Sequence, residues 1–291
     1  MPGAIPLAVV PGRSAEVKIR RAQVPEQLAE RTATGPVWEL GDGEFLLRLP
    51  ELGRVLASDG QMLEVEPLES VAVEELVPFL MGTGWGALLG QRGLLTLHAA
   101  VVAREGRAIA ICAARGTGKS TTAGAMCRAG AQLVCDDLAA VSVDEEGMPL
   151  MWPDGRCLKL YPNSIAHLGM EDERRGEVRV RVGKYYVEPR GDGVAQPVRL
   201  DAIYLLGRTA RLEGLTVERL GTLDAAQRLL ANSYRRRLTL AMAGRAESAH
   251  MVTTAAILRH APVFRLRIGE GLPRLEETAE GLLHHWRGLQ R

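Results

Sequence analysis

Apolar and polar positions alternate in short runs through the first third of the chain. Phe45–Leu49, Arg54–Ala57 and Gln61–Val65 each read as an extended segment. Leu52-Gly53 and Asp59-Gly60 punctuate them, and Asp-Gly between two such runs is a hairpin signal. From Val71 to Leu89 the apolar residues fall near helical spacing, with Gly82, Gly84 and Gly86 placed to break that helix in two. Residues 1–92 are therefore expected to form a small, mixed, strand-rich domain.

From Leu94 onward the runs become more uniformly apolar. Leu94–Val102 is a strand candidate that contains His98, and Glu105-Gly106 makes a turn. Arg107–Ala113 is almost wholly apolar, as a strand buried on both faces should be. A glycine-rich turn, Arg115-Gly116-Thr117-Gly118, leads into Lys119-Ser120-Thr121 and a helix to about Arg128, which Gly130 closes. Gln132–Cys135 is another buried strand; it ends in Asp136-Asp137, and Leu138–Val143 continues it. This order is one strand–helix–strand unit. Further strands are expected at Cys157–Tyr161, Val178–Val182, Lys184–Val187, Arg199–Leu206 and Val263–Ile268. Helices are expected at Thr222–Gly244, Glu247–His260 and Pro273–Leu289. The alternation predicts an α/β domain over 93–291.

Composition narrows the classes of function. With 291 residues and a net charge of +1, the chain can bury a substantial core and is not built to coat nucleic acid or an anionic membrane. No stretch resembles a membrane span, and Met1–Arg13, broken by three prolines, is a poor signal peptide. Cys112, Cys127, Cys135 and Cys157 show no zinc-type spacing, so a reduced, cytoplasmic protein is the expectation. Lysine occurs only at 18, 119, 159 and 184, which makes each one worth inspecting.

The run Ala113-Ala-Arg-Gly-Thr-Gly-Lys-Ser120 matches the phosphate-loop pattern G-x-x-x-x-G-K-[ST], except that alanine takes the first glycine position. Gly116 and Gly118 let the backbone wrap closely, with Arg115 and Thr117 between and beside them, so that successive N–H groups face phosphate oxygens. The helix that starts there adds its own N–H groups and the positive end of its dipole. Lys119 can reach the outer phosphates, Ser120 can ligate Mg²⁺, and Thr121 can support the α-phosphate side. Asp136 and Asp137 follow after one helix and one return strand, which brings both carboxylates near those phosphates. Adjacent acids at a buried strand end need a cation or hydrogen bonds, and Mg²⁺ is the natural partner. One can hold the metal while the other takes a proton from an attacking hydroxyl. His98 lies on the strand before the loop strand; an isolated histidine on an apolar strand is more often a core residue than a catalyst, but its position beside the loop unit favours a role in the site.

Leu97-His98-Ala99, the GTGKS run ending at Ser120 and Val134-Cys-Asp-Asp137 together resemble HPr kinase/phosphorylase and its wider family, over 94–143. The resemblance implies a P-loop kinase domain of the HPr kinase/PEP carboxykinase type that uses ATP and Mg²⁺ to phosphorylate a serine. It implies that Lys119 binds phosphate, that Ser120 sits at the metal, and that the aspartate pair supplies a metal contact and the base, with His98 assisting. The residues alone do not say which aspartate is the base; the reading carried forward takes Asp136 as base and Asp137, with Ser120, toward the metal. Glu188-Pro-Arg-Gly-Asp-Gly193 echoes a further motif of the bifunctional enzymes, but lies farther downstream and has Asp192 at an apolar position. The closer resemblance is to shorter HPr-kinase-like proteins of peptide-biosynthesis clusters, whose segments read like Leu158–Pro162 and Gly183–Tyr186. Some of those look like kinases of a lasso-peptide precursor serine.

The acceptor expected is thus a peptide or small protein bearing a serine, with possible assembly into a homo-oligomer. Lys159, Lys184 and Arg190 are candidate substrate contacts, with a solvated basic face as the alternative. Arg235-Arg236-Arg237 and His284-His285 read as surface residues. The rival readings are an HPr-type kinase/phosphorylase, a small-molecule P-loop kinase, a PEP-carboxykinase-like enzyme, and a sensor that binds ATP without transfer.

Overall fold

Asp59 and Gly60 both take positive φ, 53° and 67°, at the centre of a tight turn closed by the Gln61 N–H, which donates to Ser58 O at 3.0 Å. They join two strands of the first unit of the chain. The structure is a computed structural model and describes residues 16–154, 157–178, 182–191, 193–210, 212 and 214–289; of 243–247 it describes the backbone alone. Its contacts divide the described residues into two units, 16–96 with 233–251, and 97–232 with 252–289. The expected division at 92/93 did not foresee that 233–251 returns to the first unit.

The first unit contains β1 (Lys18–Arg21), β2 (Ala33–Gly35), β3 (Trp38–Leu40), β4 (Glu44–Leu49), β5 (Gly53–Ser58) and β6 (Met62–Pro67), in the sheet order β1-β6-β5-β4-β3-β2. β1 runs parallel to β6 and the other pairs are antiparallel. The helix expected over 71–89 is not continuous. It is a 3₁₀ turn at Val73–Glu75, a short α1 (Val77–Phe79) beginning at a proline, a π-helical turn at Leu80–Gly84, and α2 (Trp85–Gln91). Close packing explains the glycines here: a Cβ on Gly84 would lie 3.0 Å from Val55 Cγ1. Phe45, Val55, Leu63 and Leu88 form the core of this unit together with Leu238 from the returning segment.

β7 (Leu95–Leu97) carries the chain into the second unit. There follow β8 (Ala99–Arg104), β9 (Arg107–Cys112), α3 (Lys119–Arg128), β10 (Gln132–Asp136), β11 (Ala139–Val143), β12 (Pro149–Met151) and β13 (Leu158–Leu160). Then come α4 (Pro162–Leu168), β14 (Arg174–Glu177), β15 (Tyr185–Val187), β16 (Val198–Thr209), β17 (Leu215–Arg219), α5 (Thr222–Ala231), α6 (Arg236–His260), β18 (Val263–Gly269) and α7 (Leu275–Leu289). The main sheet has β10-β8-β9-β16 side by side, with β18 parallel to the far end of β16. β8 is antiparallel to both β9 and β10, so those two run parallel, one strand apart, joined across the face by α3. A small sheet, β13-β15-β14, lies beside it.

α3 packs on this sheet because its buried face is small. Gly124 lies so close to α4 and β13 that a Cβ there would be 2.9 Å from Leu168 Cδ1 and 3.3 Å from Leu158 Cδ1. Ala123, Ala125 and Met126 join Ile109, Ile111, Tyr204 and Trp286 in one core. Four expectations change. Leu138–Val143 does not continue β10: the chain turns at Asp137, φ 84°, and β11 is a separate strand paired with β12. The strand over 94–102 is interrupted at His98, whose N–H donates to Asn232 O at 2.8 Å instead of to the ladder. The helix over 222–244 breaks at 232–235, where Arg235 takes a φ of 50° and Tyr234 N–H donates to Thr96 O. His285 is not a surface residue: its Nδ1 lies 2.8 Å from Tyr204 Oη and its ring stands edge-on to Phe264. The strand expected at Val178–Val182 falls largely on 179–181, outside the described residues. No helix among the described residues is long and apolar enough to cross a membrane.

Candidate functional site

β9 ends at Cys112, and residues 113–118 turn through two left-handed glycines into α3. Gly116 has φ 83° and Gly118 φ 107°, conformations open to glycine and strained for any residue with a Cβ. Thr117 N–H donates to Ala114 O at 3.3 Å, and both the N–H and the hydroxyl of Thr122 donate to Gly118 O. The first N–H groups of α3 have no acceptor within the helix. They and the dipole make the helix start a place where negative charge is stabilised. Arg115 is exposed at the rim of this turn, and the Thr121 hydroxyl lies 3.3 Å from Ser164 Oγ.

Lys119 points inward and is only 7% exposed. Its Nζ donates to Ala113 O at 2.9 Å and lies 2.9 Å from His98 Nε2. The alanine that departs from the loop pattern thus supplies a carbonyl that any residue there would supply. Burial pushes the Lys119 pKa down, against the pull of Asp136 and Asp137. His98 Nδ1 lies 3.0 Å from Asp137 O and 3.1 Å from Asp137 Oδ1. Both are acceptors, so Nδ1 carries the proton, and in the neutral ring Nε2 then accepts from Lys119.

The two aspartates sit in different surroundings. Asp136 ends β10, is 5% exposed, and has both oxygens engaged. Ser120 Oγ donates to Oδ1 at 2.9 Å, and the Lys159 N–H donates to Oδ2 at 2.9 Å. Burial raises its pKa, with the charge of Lys159 opposing. Asp137 lies one residue past the strand with φ 84°, a backbone that costs a non-glycine residue about 1–2 kcal/mol. Its N–H donates to Ala99 O at 3.0 Å, and Lys159 Nζ donates to its Oδ2 at 3.1 Å. Burial opposes its ionisation, but the hydrogen bond from His98 and the charge of Lys159 outweigh it and hold the carboxyl well below the usual range.

Lys119, His98, Asp137, Lys159, Asp136 and Ser120 thus form a continuous chain of hydrogen bonds at the helix start, whose two ends are neighbours in the sequence. Lysine 159, expected only as a substrate contact, is a structural member of it. Lys184 stands 4.8 Å above the ring of Tyr161, and its charge is felt at Lys119. Arg190 is elsewhere: its Nε pairs with Glu173 at 2.8 Å and its Nη2 with Asp172 at 3.2 Å. The sequence reading paired Ser120 with Asp137 for a metal; the hydroxyl bonds instead to Asp136. A hydroxyl and a carboxylate oxygen are hard donors of the kind Mg²⁺ takes, and Mg²⁺ usually binds one or two protein oxygens with phosphates and water completing the shell. Among the described residues no group of three or more His, Cys, Asp or Glu could hold a metal by itself.

Sequence reasoning missed Arg208, near the end of β16. Its Nε donates to Thr117 O at 2.6 Å, and its Nη1 donates to Gly269 O and Gly271 O, each at 3.2 Å. Only its register gives it away: β16 runs parallel to β9 and β18, so position 208 lies past the level at which the phosphate-loop strand ends.

No family model and no curated protein matches this chain. Among solved structures, the HPr(Ser) kinase/phosphatase from Coxiella burnetii is similar at a TM-score of 0.36 and 14% identity, over 67% of this chain and 99% of that one. A likeness of that size does not assign a reaction.

Proposed function

We propose that this chain is an ATP-dependent, Mg²⁺-requiring kinase that phosphorylates a serine hydroxyl on a peptide or small protein, in the cytoplasm. The observation that carries the reading is the 2.9 Å bond from Ser120, in the first turn of α3, to Asp136, at the end of the parallel strand one place away. It sets a hydroxyl and a carboxylate side by side, next to a glycine turn and an inward lysine. The sequence resemblance over 94–143 supports the same chemistry, and the precursor-peptide acceptor rests only on the likeness of Leu158–Pro162 and Gly183–Tyr186 to the shorter proteins of peptide-biosynthesis clusters.

In this reading the N–H groups of the loop and of the α3 start bind the phosphates, and Lys119 turns from Ala113 O and His98 toward them. Bound Mg·ATP supplies the transferable phosphoryl group with its charge partly neutralised. Ser120 and Asp136 hold the metal side, which reverses the aspartate roles expected from sequence. The reason is access. Asp136 is buried, whereas the Asp137 side chain is 34% exposed and can meet an acceptor. Asp137 is ionised at neutral pH and accepts the serine proton as the new P–O bond forms and the bond to the ADP oxygen breaks. His98 and Lys159 orient it. Lys184, over Tyr161, is placed to face phosphate or an acidic acceptor.

The test is mass spectrometry of candidate acceptors incubated with Mg·ATP: precursor peptides ending in serine, and an HPr protein. A single phosphate on a peptide serine is expected. Phosphate on HPr would keep the kinase and replace the acceptor. Phosphate on no acceptor, with ATP bound, would overturn the serine-kinase reading in favour of a sensor or a small-molecule kinase.

A further inference from the structure

Among the described residues, Arg208 is the guanidinium that bridges the glycine turn to another loop. Three of its five N–H donors are spent on carbonyls: Thr117 in the turn, and Gly269 and Gly271 in the segment that leaves β18. Nη2 has no acceptor among the described residues. It lies 2.6 Å from where a Cβ of Gly118 would be, directly against the bare Cα.

Two consequences follow from elementary geometry. A trans peptide holds its C=O and the next N–H on opposite sides. With Thr117 O drawn to Arg208, the N–H of Gly118 is turned to the opposite side of the peptide. The carbonyl that would otherwise present negative charge to a phosphate is thereby removed from its side of the loop. Second, the charge of Arg208 lies beside the loop, with two Nη2 donors still to be satisfied. Arginine suits both tasks because its planar fork makes several fixed bonds at once, which an ammonium cannot.

We propose that Arg208 is a positioning residue for the nucleotide's phosphates: it sets the Thr117–Gly118 peptide in its anion-binding orientation and adds its positive charge beside the loop. By tying the Gly269–Gly271 segment to the same loop, it also fixes the wall of the site at the end of β18. This inference rests on the kinase reading above, and the experiment separates the two.

Binding of Mg·ATP and of inorganic tripolyphosphate is measured by calorimetry for the wild type, Arg208→Lys, Arg208→Gln and Arg208→Ala, with thermal melting of each. Arg208→Ala is expected to weaken both ligands by about 10- to 100-fold, the range for a charge-assisted hydrogen bond. Arg208→Gln can still donate to Thr117 O; it is expected to melt like the wild type yet bind no better than about tenfold below it. Arg208→Lys keeps the charge and should fall between. Millimolar ethylguanidinium should restore part of the affinity of Arg208→Ala, which a merely structural role would not allow. If wild-type protein binds and the Gln and Ala variants bind equally well, the inference fails and the kinase reading stands. If wild-type protein binds neither ligand, both fail together.

Discussion

Lys119→Met is expected to lower phosphoryl transfer by about 10²–10³-fold, the scale on which removal of one preorganised electrostatic group is felt. Methionine nearly fills the slot the lysine stem occupies and brings no charge. Lys119 is 7% exposed, and burial already works against its charge. The loss of the ammonium therefore removes a costly group as well as two bonds, to Ala113 O and to His98. The melting temperature should change by no more than a few degrees. Steady-state kinetics with parallel thermal melting checks this. Full activity in a folded variant would mean that the inward lysine does not meet phosphate.

The two aspartates should separate in a way that tests the reversed roles. Asp137→Asn keeps one side-chain oxygen, for Lys159, while His98 Nδ1 retains the Asp137 backbone O as acceptor, and asparagine tolerates the positive φ at this position. It should fold like the wild type and bind Mg·ATP normally, yet lose about 10²–10⁴-fold in kcat, because an amide cannot take the serine proton. Asp136→Asn should instead shift the Mg²⁺ requirement to higher concentration, since it weakens the oxygen pair formed with Ser120. Mg²⁺ titrations of kcat and KM for both variants distinguish them. A kcat defect confined to Asp136→Asn, with an Mg²⁺ shift in Asp137→Asn, would restore the assignment made from sequence.

The parts legible in the sequence were those whose causes are local. Asp59-Gly60 forms a turn because two adjacent residues accept positive φ, and Gly116 and Gly118 mark the glycine turn for the same reason. The register of β9 and β10 was only half legible: a helix-length gap says that two strands are near, not that β8 lies between them. The hidden parts depend on distant partners. The apolar periodicity of 222–244 runs on through Asn232, and the break there comes from bonds to His98 N and Thr96 O, more than a hundred residues away in the chain. Lys159 stood out only because lysine is scarce, and nothing in its neighbours announced that it would bridge both aspartates. Arg208 gave no signal at all in an arginine-rich chain; its role comes from the parallel register of β16 with β9 and β18.

The central claim is that the turn 113–118 and the start of α3 bind nucleotide phosphates together with Mg²⁺. Calorimetric titration with ATP, in the presence and absence of Mg²⁺ and against AMP, measures this directly. Saturable binding of ATP that strengthens with Mg²⁺, with AMP much weaker, is the result expected. Equal affinity for AMP and ATP, or no binding of Mg·ATP at millimolar concentration by the folded protein, would contradict it.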